Sequence, residues 1–276
     1  MTCVIPHWSE VSRVHERVAA KRFLVATINN TRFGSTAVEP KIAFRLLQVC
    51  KGPKLNCIKG VNNMHIARRA LVFVEGFLAS YGPSFVKKRL WDKDFSGDKW
   101  AFIDNTVGDC VYPHLEKYAR NGNILDLGCG PGNTANELSS SVYDKYIGVD
   151  ISEVALAKAT KRTQENGRTE KNSFVCSDFL GYKPTQEFDV ILFRESLYHV
   201  PYGQVLKILE KYSKHLKKSG VFIVRLYLGD NRPGKIKFRV KRKIDLIKRK
   251  FEVLESPQYD TKGLPTVVVF RPRSQG

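Results

Sequence analysis

Acidic residues are scarce in this sequence. Asp and Glu number 27 against 46 Lys and Arg, a formal net charge of +19. The shortage is confined to the ends: residues 1–100 hold 17 basic against 7 acidic residues, 101–231 hold 16 of each, and 232–276 hold 13 against 4. Such a field attracts anionic partners, whether RNA, lipid head groups or phosphorylated substrates, without naming one. Long apolar runs are missing too. None reaches the roughly 18 residues that span a bilayer, so no transmembrane segment is expected. The most apolar stretch, 70–79, carries Glu75 and follows Arg68-Arg69. The first residues lack the charged, apolar and small-residue order of a secretory leader, and their arginines are interleaved with Glu10 and Glu16. The six cysteines, Cys3, Cys50, Cys57, Cys110, Cys129 and Cys176, form no Cys-x-x-Cys pair and no zinc-finger spacing with histidine. They read as reduced thiols, mostly small buried hydrophobes, of a cytoplasmic protein that holds no metal. Nothing speaks to oligomeric state.

What is present is an alternation of strand and helix signals after residue 101. Residues 123–127, 146–150, 173–176, 188–193 and 221–228 are short apolar runs that read as strands. Between them, 133–141, 153–159 and 202–216 read as helices, with Ser152 as an N-cap and Ser219-Gly220 at a helix end. Strands this apolar, separated by helices, imply an α/β fold with a parallel sheet covered on both faces. Beyond Arg232-Pro233-Gly234, residues 235–250 form a basic helix with apolar positions at Ile236, Val240, Ile244 and Ile247. Two further strands, 251–254 and 266–270, flank a hairpin loop at 259–265. Residues 1–85 are less legible: helical pieces fit 10–26, 40–50 and 64–80, and a turn at Tyr81-Gly82-Pro83 marks a boundary. The expected organisation is a basic, mainly helical or partly disordered extension over 1–85 and a domain over 86–276.

The chemistry concentrates in the loop after the first strand, Asp126-Leu127-Gly128-Cys129-Gly130-Pro131-Gly132. Glycines there let the backbone turn tightly and approach a ligand, and the following helix offers unpaired N–H groups. Dinucleotide enzymes place Gly-x-Gly-x-x-Gly at the same point. Here Asn133 stands where their third glycine would be, and no Gly-Lys-Ser/Thr follows. Asp126, two residues before the first glycine, suits a cationic amino acid group and would repel a pyrophosphate. These details favour S-adenosyl-L-methionine (SAM).

Residues 124–137 resemble the first motif of the class I SAM-dependent methyltransferases of small-molecule type, with a Rossmann-like domain. Gly148-Val149-Asp150-Ile151-Ser152 resembles their second, Cys176-Ser177-Asp178-Phe179 their third, Phe188-Asp189-Val190-Ile191 their fourth strand, and 216–222 the approach to their fifth, with Ser219 in place of a glycine. The match runs from about Trp91 to Arg271. The resemblance implies a doubly wound seven-stranded sheet, mostly parallel with an antiparallel last strand. It implies cofactor contacts from Asp126, Gly128, Cys129, Gly130, Gly132, Asp150 and Ile151, with Asp150 on the ribose hydroxyls, Asp178 at the adenine amino group and Phe179 on its ring. The segment Trp91-Asp92-Lys93-Asp94-Phe95, with Trp100, is similar to the lid that folds over the cofactor; Tyr112 is a further lid candidate.

In open α/β sheets, ligands lie beyond the carboxyl ends of the strands. The fourth strand ends in 194–201, which brings Arg194, Glu195, Tyr198 and His199 beside the methyl donor. Glu195 and His199 are four apart and would share a face of a helical turn, the carboxylate orienting the imidazole as general base. The competing reading is that both merely brace the loop. The expected activity is methyl transfer to a small-molecule N or O nucleophile, supported by this loop and by the lack of an Asn/Asp-Pro-Pro-Tyr/Phe motif after the fourth strand. An RNA methyltransferase using the basic ends is the alternative, although helix 235–250 has only Phe238 and Phe251 for stacking. A non-catalytic SAM-binding protein is the third reading.

Overall fold

The computed structural model describes residues 75–76, 78–97, 106–227, 235–256 and 265–273. The helical pieces expected over 10–26 and 40–50, most of 64–80, Trp100, and the hairpin loop before Pro265 lie outside them. Helix α1 is Ser84–Ser96 and α2 is Tyr112–Ala119. Then follow β1 Gly122–Leu127, α3 Asn133–Glu137, β2 Tyr143–Asp150, α4 Glu153–Glu165, β3 Asn172–Cys176 and β4 Phe188–Arg194. A 3-10 turn, Leu197–His199, leads to α5 Tyr202–Ser213, β5 Leu216–Tyr227, α6 Lys235–Lys250, β6 Glu252–Glu255 and β7 Pro265–Arg271.

The strands form one seven-stranded sheet in the order β3-β2-β1-β4-β5-β7-β6. β1 to β5 pair in parallel, and β7 runs antiparallel to both β5 and β6. Period-two alternation fills both faces of the sheet. Leu125, Ile191, Phe193, Phe222, Val224, Val268 and Phe270 face α5 and α6, whereas Ile124, Val190, Leu192, Ile223, Val267 and Val269 face α2 and α3. Each such side chain contributes roughly 1.5–3 kcal/mol by leaving water, which is why these strands read as unbroken apolar runs.

Three local readings need correction. Ser219-Gly220 lie within β5, not at a helix end. Phe188 opposes Leu216 while Val190 opposes Val221, so 217–220 bulge from the strand. Gly220 fits because a Cβ there would sit 2.8 Å from the Phe188 carbonyl oxygen. Helix α3 stops at Glu137 and not at 141, since side chains satisfy its last carbonyls: Arg168 donates to Ala135 at 3.0 Å and Leu138 at 2.6 Å, and the Tyr143 hydroxyl to Ala135 at 3.1 Å. Of the three described cysteines only Cys129 is buried; Cys110, in the turn before α2, and Cys176, at the end of β3, are exposed.

Candidate functional site

The chain leaves β1 toward one edge of the sheet and reaches β4 on the other side of β1, so β1 and β4 are neighbours whose connections diverge. This opens a crevice at their carboxyl ends. A cavity of about 610 Å³ occupies it.

One wall is the glycine loop. Gly128 has φ +86°, and a Cβ there would lie 2.5 Å from the Ser196 Cβ, so only glycine lets the β1 and β4 loops approach this closely. Gly130 lines the cavity beside Phe95, while Gly132 sits behind the wall against Ala159 of α4. Cys129 lines the cavity and is packed against Gly148. Because α3 is barely more than one turn, the loop's own backbone, more than a helix dipole, shapes this wall.

Asp126 forms part of the cavity wall and is 1% exposed. Its Oδ2 accepts the Tyr146 hydroxyl at 2.6 Å, and its Oδ1 is buried without a partner. Burial, opposed by the Tyr146 hydrogen bond, the Arg194 charge and the nearby Thr134 hydroxyl, pushes its carboxyl up to about 6. An oxygen left like this is an acceptor waiting for a donor. Asp150, at the end of β2, takes the Gly130 N–H and the Ser152 N–H at 2.9 Å each and ties loop to strand. It lines the cavity with Ile151. Asp178 and Phe179 line it as well, but the Asp178 oxygens are engaged: Lys87 and Ser84 of α1 donate to Oδ2, and the Leu180 N–H donates to Oδ1 at 3.0 Å. Phe179 stands edge-on to Phe193, 6.1 Å between centroids.

Helix α1 crosses this wall. Its Asp92 accepts Ser152 Oγ at 2.8 Å and Val154 N–H at 3.3 Å, joining Ser152 in capping α4. Lys158 donates to the Phe95 carbonyl at 2.8 Å. Trp91 and Phe95 are thereby held at the cavity, with Trp91 edge-on to His199 at 4.8 Å. Tyr112, the other lid candidate, is not in this wall. It is buried under the Arg194 guanidinium and donates to Glu137 at 2.8 Å, and burial raises its hydroxyl to about 12.

The opposite wall follows β4. Arg194, Glu195, Tyr198 and His199 all line the cavity, but Glu195 does not orient His199. Glu195 has φ +55°, a strained left-handed conformation that breaks the expected helical turn, and its carboxylate pairs with Arg225 of β5. Arg225 also pairs with Asp109 at 2.8 Å, as does Arg194 at 2.8 Å. Burial alone would raise the Asp109 carboxyl, yet the two guanidiniums outweigh it and hold it below its ordinary value. His199 sits against Trp91 and Tyr198. Burial first, and the charge of Lys243 second, lower its imidazole to about 4, so it is neutral at pH 7. Burial, and after it the Glu195 charge, raise the Tyr198 phenol well above its usual range, so its hydroxyl keeps its proton.

Sequence reasoning missed Asp109, Arg225, Ser196 and Lys243. Arg225 left a signal, a lone charge inside the apolar run 221–228. Asp109 left none, since its partners lie 85 and 116 residues away. Among the described residues no group of three or more His, Cys, Asp or Glu is placed to hold a metal ion, and no helix is long and apolar enough to cross a membrane.

Comparison with known proteins agrees with this geometry. A family described as a methyltransferase domain matches residues 124–220. The sterol 24-C-methyltransferase erg6 of Aspergillus fumigatus is 30% identical over 106 residues, which is 38% of this chain and 28% of that protein. The human mitochondrial arginine-hydroxylase NDUFAF5 is 30% identical over 133 residues, 48% of this chain and 36% of its own length. The uncharacterized protein YbxB of Bacillus subtilis is 30% identical over 138 residues, 48% of this chain and 68% of that protein. This chain thus spans less than half the length of the sterol methyltransferase and hydroxylase relatives. The crystal structure of N-methyltransferase NodS from Bradyrhizobium japonicum WM9 in complex with S-adenosyl-L-homocysteine (SAH) shares the fold. Its TM-score is 0.53 at 17% identity, covering 68% of this chain and 98% of that one.

Proposed function

This chain belongs to the class I SAM-dependent methyltransferases, and from that premise we propose that it transfers a methyl group from SAM to a small-molecule N or O nucleophile. One observation carries the reading: the same cavity holds the unpartnered oxygen of Asp126 on one wall and the His199 imidazole on the other. Its volume of about 610 Å³ falls within the roughly 300–1,000 Å³ of small-ligand sites, enough for a nucleoside cofactor and a small acceptor together.

The residues present fit SAM. Asp126 Oδ1 would take the donor it lacks from the ammonium of the amino acid part. Asp150 has its carboxylate at the cavity for the ribose, and Trp91 offers a ring to a cationic sulfur. When bound, SAM supplies a methyl already activated on a sulfonium. Trp91 and Phe95 exclude water over it. Tyr198 donates a hydrogen bond to the acceptor, and His199 accepts the proton that an N–H or O–H nucleophile sheds as it attacks. Glu195 stays neutralised by Arg225, so it shapes this wall and does not act as the base.

The test is calorimetry with SAH, then an acceptor screen with labelled methyl. The expected results are SAH binding, weakened at least tenfold by Asp126→Ala, and methyl incorporation lost in His199→Ala but retained in part in Glu195→Gln. Absence of any SAH affinity would overturn the assignment. Because one relative is named for arginine hydroxylation, the screen scores oxidised as well as methylated products.

A second reading, an RNA acceptor, draws on a single feature. Lys241, Arg242 and Arg249 of α6 are exposed, and Tyr202 of α5 enters their midst: the Arg242 guanidinium lies 4.2 Å over its ring and Arg249 3.4 Å from its hydroxyl. The helix's own sequence offers only Phe238. Steeply salt-dependent retention on single-stranded RNA, with a slope of about −0.7 per phosphate contact, would raise this reading above the first.

A further inference from the structure

The run Lys241-Arg242-Lys243 looks in sequence like one solvated basic face, but its members part ways. Lys241 and Arg242 are exposed, whereas Lys243 is 2% exposed. It shares the inward stripe of Val240, Ile244 and Ile247 that seals α6 against the sheet. The lysine stem packs there readily, but an ammonium persists at such a place only with partners. Its Nζ donates to the carbonyl of Leu197 at 3.0 Å and of Tyr198 at 2.8 Å. Those carbonyls belong to the 3-10 turn that brings Tyr198 and His199 to the cavity. A three-residue 3-10 turn holds itself weakly, and this one follows the strained Glu195.

We propose that Lys243 is a positioning residue of the acceptor-side wall, its ammonium fixing the Leu197 and Tyr198 carbonyls so that the His199 imidazole faces the acceptor. This rests on the methyl-transfer reading above. The ammonium has a second effect at the same place: after burial, its charge further lowers the His199 imidazole. Among the described residues, the rings against the imidazole are Trp91 from α1 and Tyr198 on the same turn. Glu195 stands beside Tyr198 with its charge met by Arg225 of β5. A purely structural side chain of the same volume would do neither.

The experiment uses the full chain, SAH as probe, and the variants Lys243→Met and Lys243→Arg. In the parent, the Lys243 ammonium protons should exchange slowly enough to be seen by nitrogen-resolved NMR. His199 should titrate at about 4 and show a cross-relaxation peak to the Trp91 indole. In Lys243→Met the His199 midpoint should rise and the Trp91 peak should fade, while SAH affinity stays within about threefold; Lys243→Arg should restore both signals. An unchanged midpoint and Trp91 peak in a Lys243→Met protein that still binds SAH overturns the positioning role alone. Should Lys243→Met not fold, fast water exchange of the parent's Lys243 ammonium overturns it equally. A parent that binds no SAH removes the methyl-transfer reading and this role with it.

Discussion

Asp126 is a carboxylate that the folded chain keeps at a cost. Its folded value of about 6 lies above the ordinary 3.8, with burial as the main cause. Between those values the folded state holds the proton and the unfolded state has lost it. Stability contributed by this group is therefore greatest below about pH 4, declines as pH rises to about 6, and stays reduced above. The gap corresponds to at most about 3 kcal/mol. Asp126→Asn should then make the apo domain about 1–3 kcal/mol more stable than the parent at pH 7.5 in urea titration, with the advantage gone near pH 4, while SAH affinity drops at least tenfold. A variant that is less stable at pH 7.5 would show that Asp126 supports the fold and is not held for a ligand. Gly128 is the converse case, a residue kept for shape. With φ +86° and Ser196 Cβ 2.5 Å from where a Cβ would stand, Gly128→Ala should cost about 1–3 kcal/mol and weaken SAH binding together. At this scale the sequence pointed to Asp126, Gly128 and Gly130, which line the cavity, because a strand-loop-helix motif is local, while Gly132 sits behind the wall. It could not reveal that Glu195 turns left-handed toward Arg225, since that partner comes from another strand.

Helix α1 reaches the site as a strap fastened at several points. Asp92 is bound to the start of α4, Lys87 and Ser84 to Asp178, and the Phe95 carbonyl to Lys158. The Asp92 fastening is modest by itself: a capping interaction is worth about 1 kcal/mol. Asp92→Ala should therefore lower stability by only about 1 kcal/mol. Losing the strap should also quicken SAH release, weakening affinity about five- to tenfold, with faster hydrogen exchange at the Val154 amide. Unaltered release kinetics would mean that α1 packs beside the site without closing it. Most strand ends were legible to within about a residue because burial on both faces leaves continuous apolar runs, but β2 starts at Tyr143 and β5 at Leu216, well before the apolar runs at 146 and 221. The ends of α3 and of the 217–220 bulge were not, being set by Arg168, Tyr143 and the Phe188 carbonyl, contacts between segments distant in sequence. Lys243 was hidden for a related reason: a lysine on a basic helix reads as solvated until the turn that accepts its ammonium is in place.

For the whole molecule, the order of strands decides where ligand energy enters. The crevice at the ends of β1 and β4 joins the two halves of the sheet, and its walls come from loops following β1 and β4 and from α1. A ligand that bridges these walls binds the folded chain and not the unfolded one. It should stabilise the fold by RT ln(1 + [L]/Kd), about 2.7 kcal/mol at a hundredfold excess over Kd. For a domain of this size that is roughly 5–10 °C in Tm. The gain depends on pH through Asp126, which must be ionised to meet an ammonium. At fixed SAH concentration the Tm increase should be largest at pH 7.5 and shrink as pH falls through about 6. In Asp126→Asn it should be small at both ends of that range. The pH-dependence separates binding through this carboxylate from binding that merely fills the cavity: the latter would raise Tm equally at pH 7.5 and 5.5. Equal shifts would place the cationic end of the ligand somewhere other than the β1 wall.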